Sequence, residues 1–441
     1  MFVTLEEMAT LKAVRGTRDL LPPETDLWNR VEATARAVFA RYGFGEIRTP
    51  LFEATELFAR GVGEETDIVS KEMYTWDDRA RAASEKPQSL TLRPENTAGV
   101  VRAYIEHKMD ESGLLQKLFY IGPQFRRERP QRGRYRQFWQ IGAEVIGPAW
   151  SGSESPIRDA EVLEMLATLL NELGVKGWQL ALNSVGSAAD RPRYIAALRE
   201  ALAPVKAQMC EDNQRRAETN PLRVLDSKDP GDQDIINALP KIADYLDDDS
   251  RVHFEQVMAT LDACGVPYTV TPRLVRGLDY YTRTTFEFTV PDGSGLGTQN
   301  ALLGGGRYDG LSEMLGGPKA PGIGFAIGED RLILTLQAQS EQTPIKKLDA
   351  FIAPMGLAQN ATALLLAKEL RAAGLTVEVG DGTFRLRKSF ETADSLAHRM
   401  VIVGEDEVAS GIFTVKYFEA GEQTKVPRAE LMSVLRVGSD S

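Results

Sequence analysis

Residues 119–147 read FYIGPQFRRERPQRGRYRQFWQIGAEVIG and predict two strands joined by a basic loop. Aromatic and β-branched residues, which favour strands, fill both ends, and Pro130 to Gly133 supplies turn residues between them. The loop from Arg126 to Arg136 holds six arginines and one acid, although the whole chain has a net charge of −11. Because guanidinium groups bind phosphate oxygens in a bidentate manner, the hairpin predicts an anion site.

Side chains alternate between two faces along a strand, so the hairpin should present one apolar face and one polar face. The apolar face, which must be buried, includes on the second strand Trp139, Ile141, Ala143 and Val145. The polar face combines residues of both strands, namely Tyr120, Gly122, Gln124, Arg126, Glu128, Phe138, Gln140, Gly142 and Glu144. Together these residues predict a pocket for a nucleotide beside an amine. They offer a ring that can stack on a base, an arginine for a phosphate, a gap at the glycines and an acid for a cation.

The alternative is a solvated hairpin whose charges protect a sheet edge from aggregation. A merely solvated face would not need aligned glycines, and an edge guard would favour lysine over arginine. We therefore favour the pocket.

The composition is that of an ordinary globular protein, with 43% apolar and 26% charged residues in a chain of 441. This length suggests about two to three domains. The acidic balance argues against non-specific coating of nucleic acid, so any RNA contact should be local. Cys210 and Cys264 lie far apart and the three histidines are scattered, so we expect neither a disulfide nor a zinc site. No secretion-signal pattern and no run of about eighteen apolar residues occurs, which favours a cytoplasmic location.

The segment SLTLRPENT at residues 89–97 predicts a strand that breaks at Pro94 and a helix that starts at Thr97. Glu95 at such a break is well placed to receive an ammonium group. It would equally stabilise the helix N-terminus through charge–dipole attraction, so both roles stay open.

Two glycine-rich segments lie between residues 304 and 332. GGGRYDGL at 304–311 lets the backbone pass close to a ligand, but no Lys-Ser/Thr follows the glycines, so it is not a Walker A loop. PGIGFAIGEDRL at 321–332 predicts a strand and then a helix beginning at Glu329 or Asp330. Arg331 then falls in the first helical turn, where a cation opposes the helix dipole, and an anionic ligand would account for it.

These segments together resemble the class II aminoacyl-tRNA synthetases. Residues 119–147 resemble motif 2 and residues 321–332 resemble motif 3. The predicted amphipathic helix 24–42 with the strand after it resembles motif 1, the dimer interface of that class. RGLDYY at 276–281 and the segment GGGRYDGL resemble the two histidine-specific motifs of the histidyl-tRNA synthetases.

The resemblance implies an α/β protein with an α+β catalytic core, in which a class II antiparallel sheet is flanked by helices. The catalytic domain is expected at residues 1–336, with a helical insertion at 186–266 where the composition becomes charged and rich in helix formers. A polar linker is expected at 337–347. Strands and helices alternate over 348–441, which fits a C-terminal mixed α/β anticodon-binding domain.

In this family a motif 2 arginine binds the α-phosphate of ATP, an aromatic ring stacks on adenine and a motif 3 arginine binds the γ-phosphate. The resemblance therefore implies ATP-binding roles for Arg126, Glu128, Arg134, Phe138 and Arg331. It implies histidine-binding roles for Glu95, Asn96, Thr97, Arg126, Gln140, Glu144, Arg276, Tyr280, Tyr281 and Tyr308. Arg126 and Arg276 are the expected catalytic residues, and Gln131 and Arg132 the expected contacts to tRNA.

The implied reaction activates L-histidine with ATP, accompanied by Mg²⁺, and transfers it from histidyl-adenylate to the 3′ end of tRNA(His). A homodimer is expected from the resemblance alone, and neither a protein-bound metal nor a membrane partner is expected. No side-chain base for the transfer step is evident in the sequence.

Three other functions remain as alternatives. The first is a catalytically inactive relative that serves as a regulatory subunit of ATP phosphoribosyltransferase, which typically lacks the anticodon domain and has lost catalytic residues. The second is a class II synthetase for another amino acid, which RGLDYY and GGGRYDGL argue against. The third is a histidine-sensing domain attached to a kinase, but no kinase motif is present.

Overall fold

The computed structural model describes residues 11–63, 66, 68–78, 88–275, 280–291, 294–296, 300–339, 347–383 and 386–436. The chain divides into two compact units, residues 1–342 and 343–441. In the described residues, no helix combines the length and the apolar character that crossing a bilayer would need.

The first unit mixes strands and helices. Its strands are β1 (Gly45–Glu46), β2 (Phe52–Ala54), β3 (Tyr74–Asp78), β4 (Gln88–Leu92), β5 (Gln116–Phe125), β6 (Gln137–Ile146), β7 (Gln179–Ser184), β8 (Thr269–Val270), β9 (Thr282–Thr289), β10 (Ala301–Arg307) and β11 (Gly322–Gly328). Its α-helices are α1 (Glu24–Arg41), α2 (Thr55–Val62), α3 (Thr97–Glu106), α4 (Pro156–Glu172), α5 (Asp190–Leu202), α6 (Glu211–Thr219), α7 (Gln233–Asn237), α8 (Asp248–Cys264), α9 (Leu311–Met314) and α10 (Glu329–Gln339).

The main sheet of this unit has the strand order β1-β5-β6-β11-β10-β9-β7-β8. Its inner pairs are antiparallel, and the two end pairs, β1 with β5 and β8 with β7, are parallel. The predicted hairpin is β5 and β6, whose register sets Tyr120 opposite Gly142 and Gly122 opposite Gln140. Residues directly opposite each other share a face, so the predicted division into two faces is confirmed.

The apolar face of the hairpin is buried under helices. Ile141, Ala143 and Val145 are at most 1% exposed and join one core with residues of α1, α4, α8 and α10. Each aliphatic side chain of this size contributes about 1.5–3 kcal/mol when fully buried. The same core fixes α1, the helix predicted at 24–42, and α10, which begins at Glu329 as predicted.

The region predicted as a helical insertion packs in two parts. Residues between Tyr194 and Tyr245 form a small core of their own. Helix α8 instead packs against α4, and its Val257 and Leu261 belong to the main core. The change in composition at 186–266 therefore covers both a separate helical body and a helix of the catalytic core.

The second unit is a mixed sheet with helices. Its elements are β12 (Ala350–Pro354), α11 (Asn360–Ala372), β13 (Val377–Val379), α12 (Leu386–Leu396), β14 (Arg399–Val403), α13 (Glu405–Ser410), β15 (Ile412–Tyr417), β16 (Gln423–Pro427) and α14 (Leu431–Leu435). The order β13-β12-β14-β15-β16 joins three parallel strands to an antiparallel pair. This confirms the predicted alternation of strands and helices. The predicted linker at 337–347 begins inside α10, which runs to Gln339, and residues 340–346 lie outside the described ones.

Candidate active site

A cavity of about 710 Å³ opens on the polar face of the main sheet. Motif 2, motif 3 and both glycine- and tyrosine-rich segments contribute to its wall. The predicted site residues in its lining are Glu95, Thr97, Arg126, Glu128, Arg134, Phe138, Gln140, Tyr280, Tyr281, Tyr308 and Arg331. Residues that lie far apart in the sequence therefore meet in one cavity.

Glu95 occupies the break between β4 and α3. Its carboxylate accepts hydrogen bonds from the backbone N–H groups of Thr97 (2.7 Å) and Ala98 (3.0 Å) and so caps the helix. Burial raises the pKa of Glu95, and those two hydrogen bonds and the nearby Arg126 oppose the shift. The predicted helix-stabilising role is thus seen, and the same side chain lines the cavity.

Glu144 lies on β6, immediately behind the cavity wall. The hydroxyl groups of Thr97 and Tyr308 donate to its two carboxylate oxygens at 2.7 and 2.6 Å. Burial raises the pKa of Glu144 to about 8, and the neighbouring Glu95 adds to the shift. A Cβ at Gly324, on the adjacent strand, would overlap the Glu144 carboxylate, so this position requires glycine.

The aligned glycines of the hairpin serve a different purpose from the one predicted. A side chain at Gly142 would overlap the ring of Tyr120, and one at Gly122 would overlap the guanidinium of Arg93. The glycines thus make room for protein side chains, which fill the gap that the sequence assigned to a ligand. The register explains this, because Tyr120 stands directly opposite Gly142.

Aromatic rings and unsatisfied polar atoms complete this end of the cavity. Tyr280 packs edge-on against Tyr308 with ring centroids 6.0 Å apart, and against Tyr281 at 4.8 Å. Gln140 Oε1 and Tyr120 Oη are buried and have no hydrogen-bond partner among the described residues. Buried polar atoms are almost always paired, so these two point to a ligand that supplies a donor for the amide oxygen and a donor or acceptor for the hydroxyl. Together with the carboxylate of Glu95 in the lining, they favour a small cationic guest.

The opposite end of the cavity is basic. The Nε of Arg126 donates to the backbone oxygen of Pro94 at 2.9 Å, and its Cζ lies 5.2 Å from the ring centroid of Phe138. Glu128 contacts Arg134 at 3.2 Å and Arg126 at 3.8 Å, and it is the acid that partly balances this end.

Arg331 lies in the first turn of α10, as predicted, and lines the same end. Burial and the nearby Arg134 lower its pKa, while Glu287 and Glu128 act in the opposite direction. The space around Gly133 is closed by the side chain of Arg331, so the arginine-rich loop lies against the start of this helix. Two guanidinium groups held together at a helix N-terminus form a binding site for a multiply charged anion.

Besides Glu144, three predicted residues lie outside the cavity lining, and one further predicted residue falls outside the described residues. Asn96 is buried outside the cavity lining, where its Oδ1 accepts from Thr49 at 2.5 Å and from Arg93 at 3.2 Å. Gln131 and Arg132 are exposed on the loop tip. Arg276 lies outside the described residues, as do the three residues that follow it.

Sequence reasoning missed several residues that hold the site together. Arg93 bonds to the backbone oxygens of Pro123 (3.0 Å) and Thr49 (3.1 Å), and a buried arginine just before Pro94 was the available signal. Arg307 is fully buried and binds Asp159 at 2.6 Å and Asp309 at 2.8 Å, which anchors the strand end next to Tyr308. The available sequence signal for Arg307 was its position inside GGGRYDGL.

The helical insertion also reaches the cavity. Residues of α6 and of the segment between α6 and α7 complete the lining, namely Arg216, Asp226, Ser227 and Lys228. The composition of the insertion gave no sign of this contact.

Comparison with known proteins gives the same answer for sequence and fold. A family model for histidyl-tRNA synthetase matches residues 16–332, and one for an anticodon binding domain matches residues 349–437. The histidine–tRNA ligase of Koribacter versatilis is 69% identical over 427 residues, which cover 97% of this chain and 96% of that protein. That of Solibacter usitatus is 53% identical over 432 residues, 98% of this chain and 100% of that protein.

Among solved structures, apo histidyl-tRNA synthetase from S. aureus is similar at a TM-score of 0.79 and 38% sequence identity. The match covers 97% of this chain and 100% of that one. The expected class II arrangement of an antiparallel sheet with flanking helices and a C-terminal sheet domain is confirmed.

Proposed function

The chain belongs to the histidyl-tRNA synthetase family and is a histidine–tRNA ligase, and we propose that the cavity described above is its active site. One observation carries the assignment of roles: Arg126 and Arg331 share a single cavity with Glu95 and with the Glu144 cluster of Thr97 and Tyr308. Such a cavity suits a triphosphate at one end and a small cationic amino acid at the other.

The acidic end binds histidine in this proposal. Glu95 receives the α-ammonium group. Gln140 and the hydroxyl of Tyr308, which Glu144 holds at 2.6 Å, bind the ring nitrogens, and the rings of Tyr280 and Tyr308 enclose the imidazole. Gln140 supports this because its buried Oε1 has no partner among the described residues. A pocket that pairs both ring nitrogens rejects amino acids without them, since its buried polar groups would then be left unsatisfied.

The basic end binds ATP, which we expect to enter as its Mg²⁺ complex and thus as substrate. The histidine carboxylate attacks the α-phosphate in line, a new P–O bond forms, and pyrophosphate leaves. Arg126 stabilises the charge that develops on the α-phosphate, and Arg331 with Arg134 holds the departing pyrophosphate. We assign the same stabilising role to Arg276 on the basis of the family resemblance. Donors aimed at developing charge are worth about 2.7–4 kcal/mol each.

The second step joins histidine to tRNA(His). The 3′-terminal ribose hydroxyl attacks the carbonyl carbon of the adenylate and forms the ester bond, while its proton passes to a phosphate oxygen of the adenylate. The bond between the carbonyl carbon and the phosphate oxygen breaks, and AMP leaves. Gln131 and Arg132 are exposed on the loop above the cavity and would contact the acceptor end. The second unit would bind the anticodon. We further propose a homodimer through motif 1 and a cytoplasmic location, where translation consumes the product.

The decisive experiment is ATP–pyrophosphate exchange with each proteinogenic amino acid in turn. We expect exchange with histidine alone. Exchange with another amino acid would overturn the assignment of the acidic end. Histidine binding without any exchange would instead favour the regulatory subunit of ATP phosphoribosyltransferase.

A further inference from the structure

The irregular segment before α1 lies across the outside of the active site. The backbone N–H of Arg136 donates to the oxygen of Gly16 at 2.7 Å, which ties this segment to the end of the arginine-rich loop. Gly16 has φ of +90°, and a Cβ there would overlap the side chains of Arg136 and Pro130. The segment is therefore fitted closely to the loop.

Arg18 in this segment contacts three elements at once. Its Nη2 donates to Asp330 Oδ1 at 3.1 Å, at the start of α10, and its Nη1 donates to Glu24 at 2.8 Å, at the start of α1. Its Cζ lies 5.0 Å from the ring centroid of Tyr135 in the loop. The other oxygen of Asp330 accepts from the backbone N–H of Trp139 on β6 at 3.0 Å.

The residues next to these contacts are the phosphate-binding candidates. Tyr135 follows Arg134 in the loop, and Asp330 precedes Arg331 in the helix. The guanidinium groups of Arg134 and Arg331 repel each other, and the loop from Arg126 to Arg136 holds six arginines against one acid. Glu128 and Glu287 act against this repulsion, and the contacts of Arg18 with Asp330 and Tyr135 add a further connection between the loop and α10.

We propose that Arg18 is a positioning residue for the triphosphate, which acts through Asp330 and Tyr135 to hold Arg331 and Arg134 at the spacing that ATP requires. This inference rests on the proposed function, because it assumes that the basic end binds ATP. Arg18 itself does not line the cavity. Its effect should therefore fall on ATP and leave the histidine end, built from α3, β6 and β10, undisturbed.

The test is ATP–pyrophosphate exchange with Arg18→Ala, Arg18→Lys and Asp330→Asn in the full-length chain. A charge-assisted hydrogen bond contributes about 1.5–3 kcal/mol, so we expect KM for ATP to rise about tenfold or more in Arg18→Ala. KM for histidine should stay within about twofold. Arg18→Lys keeps a charge near Asp330 but loses the planar guanidinium group. Its KM for ATP should therefore lie between those of the wild type and Arg18→Ala. Arg199→Ala, an exposed position on α5 that is not in the cavity lining, is the matched control and should behave as the wild type.

A double-mutant cycle separates positioning from general loss of structure. The double variant Arg18→Ala with Asp330→Asn should raise KM for ATP by less than the product of the two single effects. The reason is that both substitutions remove the same connection, the one between Arg18 and Asp330. Equal increases in KM for ATP and histidine, or no change in KM for ATP, would overturn the inference. If Arg18→Ala does not fold, as judged by thermal unfolding, Arg18→Lys and Asp330→Asn decide by the same criterion. A wild-type enzyme without histidine-dependent exchange would refute the proposed function instead.

Discussion

At the amino-acid end of the cavity, both oxygens of Glu95 and both oxygens of Glu144 accept hydrogen bonds from the protein. At the triphosphate end, burial and the nearby Arg134 both lower the pKa of Arg331. The first end is thus stabilised by the fold itself. The second is stable only because neighbouring elements, among them Arg18, hold it in place until an anion arrives. The protein itself positions the two carboxylates of the amino-acid end, whereas the arginines of the triphosphate end reach their final arrangement when the ligand binds.

The largest effect is expected from Arg126, which lies between the two ends. Arg126→Gln removes the charge that faces the reacting phosphate, and loss of one such donor costs about 10²–10³ in rate. We expect kcat for histidine-dependent exchange to fall by that factor. Arg129→Gln, at an exposed position of the same loop, should leave exchange near the wild-type rate. Equal losses in the two variants would mean that only the overall charge of the loop matters.

The second-largest effect is expected from Glu144→Gln, which should impair the amino-acid end of the cavity and leave the triphosphate end intact. The substitution preserves size but replaces one of the two oxygens that accept from Thr97 and Tyr308 with an NH₂ group, and a buried hydroxyl left without its partner costs about 1–3 kcal/mol. KM for histidine should therefore rise about 10- to 100-fold, with KM for ATP nearly unchanged. The two constants are measured in exchange assays with one substrate varied and the other saturating. A parallel rise of both would show that the ends are not independent.

The amino-acid end also gives a signature in stability. The folded pKa of Glu144 is about 8, above its ordinary value of 4.5, so between these values the folded state holds a proton that the unfolded state has lost. Its contribution is complete at low pH and is lost as pH rises towards 8. One such proton gives a slope of up to about 1.4 kcal/mol per pH unit. The stability of the wild type relative to Glu144→Gln should fall along that slope, as measured by denaturant unfolding from pH 5 to 8. If the stabilities of the wild type and Glu144→Gln changed with pH in parallel, the buried environment of Glu144 would be contradicted.

The same contrast marks what the sequence could predict. Alternation along β5 and β6 was enough to assign Phe138 and Gln140 to the cavity face, because strand parity is a local property. The role of the glycines was misjudged, since Arg93 reaches Gly122 from another strand end and no local pattern shows that approach. Glu144 was assigned to the correct face but lies behind Tyr308, a residue 164 positions away.

The residues that complete the site from a distance were not predictable in this way. Arg18 belongs to a segment that looked irregular, and its partner Asp330 is 312 positions further along the chain. Arg307 and Asp159 are joined across 148 positions. Local periodicity reports which face a side chain occupies, whereas these contacts depend on the packing of elements that the sequence pattern leaves unspecified.

The smallest expected effect is on the loop itself. Trypsin cleaves after arginine unless proline follows, so the exposed Arg127 and Arg132 are cleavage sites, whereas Arg129 precedes Pro130. If an anion completes the basic end, Mg²⁺-ATP or pyrophosphate should slow cleavage in this loop severalfold, because a ligand that binds the folded arrangement lowers the population of open states. Histidine alone should have little effect there, since the end that it occupies is already held by the protein.

Limited proteolysis with mass spectrometry of the fragments measures this difference. Cleavage after Arg251, an exposed position on α8, serves as the internal control, because that helix contributes no residue to the cavity lining. Arg18→Ala should increase the cleavage rate without ligand, and Mg²⁺-ATP should restore part of the protection. Equal protection of the loop by histidine and by Mg²⁺-ATP would contradict the contrast, since it would mean that both ends close together and that neither is prepared in advance.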